Sequence, residues 1–163
     1  EGRIVDMRYF NSQGMLTSKK RNVNFVDVYE DFNRNNKLRL RTEVLCGNYD
    51  GKFQRFFSDG SLHYEYSFLN GKKNGKYQLN EVSGQPGSVG FFLDNQSNGE
   101  WKRYHENGQL YGEGLHRDDG RDSVWTYYHD NGNISSRGPY KNDKRHGVCT
   151  WYSPEGTPLI PAP

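Results

Sequence analysis

Residues 99–110 read Gly-Glu-Trp-Lys-Arg-Tyr-His-Glu-Asn-Gly-Gln-Leu, and residues 123–134 read Ser-Val-Trp-Thr-Tyr-Tyr-His-Asp-Asn-Gly-Asn-Ile. The two stretches stand 24 residues apart and agree in kind at most positions. Trp101 answers Trp125, Tyr104 answers Tyr128, His105 answers His129, and Asn107-Gly108 answers Asn131-Gly132. A fixed period of this length marks a repeat protein, and it governs every other reading of the chain.

Two ladders extend the period outward. Gly60, Gly84, Gly108, Gly132 and Gly156 step by 24, and so do Gly51, Gly75, Gly99, Ser123 and Gly147. Asp27 and Asn36 continue the ladders backward, whereas Gly14 stands 22 residues before Asn36, so the first unit is expected to be irregular. Each unit carries an aromatic two residues after its first glycine (Phe53, Tyr77, Trp101, Trp125) and an aliphatic two residues after its second (Leu62, Leu110, Ile134). Between them runs period-two alternation, as in Leu62-x-Tyr64-x-Tyr66-x-Phe68. Alternation bounded by Asn-Gly or Asp-Gly is a hairpin signal, because those turns need positive φ. Each unit therefore reads as strand, turn, strand, turn.

The expected fold is all-β, a single domain over residues 1–163 forming an elongated antiparallel ribbon of repeated β-hairpins. It divides into an irregular N-terminal unit (1–26), regular 24-residue units (27–156) and a Pro-rich C-terminal cap (157–163). In the cap, Pro158, Pro161 and Pro163 withhold ladder donors and protect the edge. Two strands per unit at ~4.8 Å advance the ribbon by roughly 10 Å per repeat, or about 60–70 Å in all. Stability of such a chain is close to a sum of nearest-neighbour terms, each unit burying its aromatics on the next.

Composition agrees with this fold and excludes several others. There are 24 aromatic residues and 19 glycines but one alanine, Ala162, which is unlike a helical domain. The 22 basic and 20 acidic residues leave a net charge of +2, unlike a disordered chain. Charges of both signs are interleaved, with no basic stripe to follow phosphates, so nucleic acid is not expected as a partner. No apolar run is long enough to span a bilayer as a helix, and membrane contact is not expected. The sequence opens on Glu1, read as a processed or trimmed form, and a bacterial periplasmic location is expected ahead of a cytoplasmic one.

Tyr-x-x-x-Gly-x-Leu followed by Phe68-x-Asn70-Gly71-Lys72-x-x-Gly75-x-Tyr77 resembles the MORN-repeat variant found in bacterial proteins of the YwqK antitoxin type. Gly99-x-Trp101-x-x-Tyr104-x-x-x-Gly108 and Trp125-x-x-Tyr128-x-x-x-Gly132 are similar to the same consensus, and the resemblance runs from about Phe10 to Gly156. It implies a binding scaffold with an antitoxin or immunity role. Some positions depart from the pattern. Asn80 and Pro86 replace an aromatic and an aliphatic, so the unit from Gly75 to Asn98 is expected to be the least regular, with a bulge or protruding loop. Ser123 replaces a glycine, Asp118-Asp119-Gly120 reads as a shifted Asn-Gly, and Cys149 replaces Trp or Tyr.

No chemistry-bearing constellation stands out. His105 and His129 are repeat equivalents ~10 Å apart, too far to share a zinc at ~2.1 Å. His116-Arg117-Asp118 has the order of a kinase triplet without its phosphate loop. Cys46 and Cys149 lie about four repeats apart, roughly 40 Å, beyond disulfide reach, and are expected to be free, partly buried thiols. No enzyme activity, cofactor, metal or small-molecule substrate is expected. The expected function is non-enzymatic protein binding: an immunity protein covering the active site of a cognate protein toxin. The alternative is an envelope- or membrane-associated scaffold. Tyr, Trp and Arg dominate binding hot spots, and the partner-contact residues expected are Trp101, Arg103, His105, Tyr127 and His129. Strand alternation places the first three on one side.

Overall fold

The computed structural model describes residues 6–23 and 26–159. Its strands are β1 (Asp6–Phe10), β2 (Leu16–Val23), β3 (Val26–Phe32), β4 (Leu38–Leu45), β5 (Asn48–Phe56), β6 (Leu62–Leu69), β7 (Lys72–Asn80) and β8 (Pro86–Leu93). They continue with β9 (Gln96–Ser97), β10 (Gly99–Tyr104), β11 (Leu110–Arg117), β12 (Gly120–Tyr128), β13 (Ile134–Lys141), β14 (Lys144–Arg145), β15 (Thr150–Tyr152) and β16 (Pro158–Leu159). All lie in one antiparallel sheet in chain order, with the short β9 and β14 pairing only with β8 and β13. Among the described residues there is no helix. The expected all-β ribbon of hairpins is therefore the fold.

Two kinds of turn alternate. Within a unit the chain closes by paired backbone bonds: His105 N–H donates to the Gln109 carbonyl at 2.8 Å, and Gly108 N–H to the His105 carbonyl at 2.9 Å. The same pair recurs from Asn33, Phe57, Glu81, His129 and Ser153. The glycines of this ladder have positive φ, 92° at Gly60, 83° at Gly108 and 87° at Gly132. Between units the turn has two residues, both left-handed: Cys46-Gly47, Asn70-Gly71, Asp94-Asn95, Asp118-Asp119 and Asn142-Asp143. Two consecutive positive φ values define the type I′ hairpin, whose twist matches that of its strands.

From β4–β5 onward each between-unit pair also carries a bulge. Thr42 faces Phe53 while Val44 faces Tyr49, so one strand has two extra residues. Tyr66 facing Tyr77 and Phe68 facing Lys73 repeat the step. The left-handed residue of the bulge is Gly51, Gly75, Gly99, Ser123 or Gly147. Because the insertion is even, the side-chain alternation keeps its face from one unit to the next.

Four expectations are corrected. Asp27 is not among the left-handed residues. The β2–β3 register runs unbroken from Ser18–Asp31 to Val23–Val26, so this pair lacks the two-residue bulge. That absence accounts for a first spacing of 22 rather than 24. Asp118-Asp119 is not shifted; it is itself the type I′ turn, with φ of 48° and 68°. The unit from Gly75 is as regular as the others. Its strands have 9 and 8 residues, and its Glu81–Gln85 turn has the standard bonds. Pro86 is tolerated because it opens β8, facing Asn80 across the usual one-residue shift. Buried Asn80 replaces ring packing with hydrogen bonds, donating from Nδ2 to the Leu62 carbonyl at 3.0 Å and accepting from Gln78 Nε2 at 2.8 Å. Finally, Cys46 is exposed in its turn rather than partly buried; both cysteines are free. In the cap, Pro158 pairs with Tyr152, while Pro161 and Pro163 lie outside the described residues.

Buried hydrophobic residues are few among the described residues: Val44, Trp101, Trp125 and Tyr140 sit on one face, and Val28, paired with Glu43, on the other. Tyr77, Phe92 and Tyr127 pack against the cluster of Trp101, Trp125 and Tyr140. The core of this sheet is thus a layer of rings lying on its own backbone.

Candidate functional site

The aromatic face is built by cross-strand pairing. Tyr66 faces Tyr77, Tyr77 faces Gly90, Trp101 faces Gly114, and Trp125 faces Gly138. Gly90, Gly114 and Gly138 form a third 24-residue ladder, opposite Trp101, Trp125 and Cys149 respectively. A Cβ on Gly114 would lie 2.5 Å from the Trp125 ring. The glycines thus let each large side chain lie flat over the neighbouring strand. The indole N–H groups are satisfied in the same repeat: Trp101 Nε1 donates to the Phe91 carbonyl at 3.2 Å and Trp125 Nε1 to that of Leu115 at 2.8 Å.

Rings follow one another along this face. Tyr49 stacks on Phe68 with centroids 5.0 Å apart, and Phe53 on Tyr66 at 5.1 Å. The Lys73 ammonium bridges two groups of rings, 4.8 Å from the Tyr66 centroid and 5.2 Å from that of Phe92. Phe92 and Tyr77 contact Trp101 at 5.5 and 5.4 Å. His116 sits between Trp101 and Trp125, and Tyr127 follows Trp125. Where the rings of Tyr64, Tyr66, Tyr77 and Trp101 flank one another, they leave an open groove of about 600 Å³, with Lys73 and Arg103 among its lining.

The expected contact residues divide between this groove and the hairpin ends. Trp101 and Arg103 both line it, Trp101 as a buried floor. His105 meets Tyr111 edge-on at 5.1 Å, and Tyr111 meets Tyr127 at 5.7 Å, so Trp101, Arg103, His105 and Tyr127 belong to one neighbourhood. The Tyr127 hydroxyl accepts from Arg121 Nη1 at 2.8 Å, and burial raises its pKa. Arg121 is held by Asp143, with Nε 2.6 Å from Oδ1. His129 lies one unit further on. Its Nε2 is 3.0 Å from the Tyr152 carbonyl, and His105 Nε2 is 3.0 Å from that of Tyr128. A carbonyl only accepts, so both rings carry the proton on Nε2 and clasp the following unit.

The opposite face differs in charge pattern. It carries ion pairs such as Lys102–Glu113 at 3.3 Å and Lys52–Glu65 at 3.8 Å. A neighbouring groove of similar volume mixes Glu65 and Glu100 with Lys76 and Lys102. Around the aromatic groove, from Arg55 to Arg103, the acids Glu65 and Glu113 thus lie on the face opposite the groove's cations. No group of three His, Cys, Asp or Glu among the described residues is placed to hold a metal.

Sequence reading passed over Lys73, Tyr66 and Tyr111 and the glycines beneath the tryptophans. The signal for the last was available, since Gly90, Gly114 and Gly138 keep the period. Lys73 carried none, because its role depends on rings from two other strands.

Three segments, residues 49–70, 97–118 and 121–142, match the family model described as MORN repeat variant. Each is one hairpin running from the bulge to the next type I′ turn, so the chain carries MORN repeat variants there. The hairpin at 73–94, with Asn80 and Pro86, keeps the geometry without a match. Comparison with curated proteins gave no match. Solved structures that match in part include TarM and a mutant of S. aureus TarM in complex with Fondaparinux, alpha-GlcNAc-glycerol and UDP. Both are 14% identical, with TM-scores of 0.41 and 0.42, and each alignment covers 58% of this chain. The chain spans about a fifth of the length of those proteins, 20% and 21%. A likeness at this level carries no functional conclusion.

Proposed function

We propose that this chain is a non-enzymatic binding protein of the immunity type, laying its aromatic face over the active site of a cognate bacterial toxin. The observation that supports it is the succession of rings from Tyr49 to Tyr127 on one side of a preformed sheet. Such a face is rich in the residue types that concentrate binding energy. A sheet whose rings are already packed loses little side-chain freedom when covered, so association pays little ordering cost. The resemblance to antitoxin-type repeats points the same way. Inhibition is steric: the sheet occludes the toxin's active site and performs no chemistry.

Affinity capture from the source organism, followed by growth rescue with the captured partner, tests this reading. A single protein partner whose toxicity is relieved by the chain is the expected result. Recovery of lipid or cell-wall material alone, with no rescue, replaces the reading with that of an envelope scaffold.

A further inference from the structure

We propose that the groove over Tyr66, Tyr77 and Trp101 takes an acidic segment of a protein partner, its carboxylates meeting Lys73 and Arg103 while its apolar side chains lie on the rings. The inference rests on the binding role above and names the chemistry of the partner at that face. None of the residues lining the groove is Asp or Glu. Along the paired aromatic-face positions Arg55, Lys73 and Arg103 recur, and the acids of the adjoining strands, Glu65 on β6 and Glu113 on β11, fall in the opposite-face rows. Among the described residues neither Lys73 nor Arg103 makes an ion pair. Lys73 is instead held over two rings. Its charge is fixed in place and uncompensated, which is the condition for an incoming anion to gain most. The positive field is felt locally: His116, already disfavoured as a cation by burial, is pushed lower still by Arg103.

The same distribution favours a polypeptide over a nucleic acid. A phosphate backbone needs a continuous run of cations. Beyond the groove the next cations on this face are already engaged, Arg121 with Asp143 and Arg145 over Trp151. What is left without an ion pair is Arg55, Lys73 and Arg103, and they form no continuous run: Arg103 stands level with Leu79 across Ser88, six residues along β7 from Lys73, with rings between them. That pattern suits carboxylates set among apolar side chains.

Titration of the isotope-labelled full chain, followed by amide shifts, tests this with two synthetic peptides, one alternating Glu and Leu and one alternating Lys and Leu. Saturable shifts around Lys73, Phe92 and Arg103 are expected with the Glu peptide only. Arg103→Glu and Lys73→Glu should each weaken that binding about tenfold. Lys76→Glu, on the opposite face, should leave it within about twofold. Spectral dispersion of each variant reports its folding, and Arg103→Gln, which only removes charge, should give a smaller loss. Equal shifts with the Lys peptide, shifts on the Lys76 side, or no shifts with the Glu peptide overturn the proposal. If a toxin is captured equally by Arg103→Glu and the parent chain, the acidic-segment inference fails while the immunity reading stands. If the Glu peptide binds here but no toxin is neutralised, the immunity reading fails instead.

Discussion

The Trp125 indole lies on the backbone of Gly114, donating its N–H to the carbonyl of the next residue, Leu115, at 2.8 Å. This relationship explains how a sheet with so few buried residues holds together. Trp125 is the largest fully buried side chain, and it is buried by a neighbouring strand of its own sheet rather than by a second layer. Complete burial of a large aromatic contributes on the order of 3 kcal/mol. The glycine beneath it makes that burial possible.

Gly114→Ala should therefore be costly although the added group is one methyl. Its Cβ would meet the ring at 2.5 Å, and the backbone beneath cannot retreat without breaking strand pairing. Overpacking of this kind costs roughly 1–3 kcal/mol. Denaturant unfolding should show it. A midpoint equal to that of the parent chain would mean that the indole is not seated on Gly114.

Gly108→Val addresses the turn rather than the packing. Gly108 has φ of 83° and a β-branched residue there is strained, so a loss above ~1 kcal/mol is expected. Asn at the same position should be milder, because Asn36 already fills the equivalent place at φ 57°. Thermal melting of the two variants should rank them in that order, with Gly108→Val the lower.

Asn80→Ala should destabilise by about 1 kcal/mol or more, since it removes the Nδ2–H donated to the Leu62 carbonyl and leaves Gln78 Nε2 without its acceptor. Double-mutant analysis with Gln78→Ala is the check. Strict additivity of the two losses would show that the amide pair is not coupled.

His116 should make stability depend on pH in one direction. Burial, its largest influence, lowers its pKa below the usual 6.5, with Arg103 and Arg121 adding to the shift and the Asp119 backbone and Asp143 opposing it. Its Nδ1 lies 3.0 Å from Ser97 Oγ, while Nε2 is buried with no partner. A depressed histidine pKa means that the unfolded chain binds the proton first. The contribution is fully present above the unfolded value and is lost as pH falls below it towards the folded one. His116→Gln should flatten that part of the stability curve. If stability of the parent chain rises on acidification from pH 7 to 5, and the slope vanishes in the variant, the assignment is wrong.

Much of the fold was legible because its causes are local. Positive φ at Gly60, Gly108 and Gly132 follows from Asn-Gly and Asp-Gly chemistry within a few residues. Alternation in Leu62–Phe68 follows from the pleat of one strand. The irregular first unit showed as a spacing of 22, although its cause, a missing bulge between β2 and β3, needs both strands to be seen. Asn80 and Pro86 looked disruptive for the opposite reason. Sequence shows the ring that is absent, but not the Leu62 carbonyl on a preceding strand that takes its place.

The sequence by itself determined the period, the order of strands and turns, and the left-handed glycines at Gly60, Gly108 and Gly132, because each depends on residues close along the chain. Tertiary structure alone decided which residues share a face across units, and with it the groove. That outcome depends on the two-residue bulge, an even insertion that keeps Tyr66, Tyr77 and Trp101 on one side. It also placed the Lys52–Glu65 and Lys102–Glu113 pairs on one face of a near-neutral, evenly interleaved chain and left Lys73 and Arg103 unpaired on the other. Neighbours in sequence point to opposite sides of a strand, so linear charge balance conceals segregation by face.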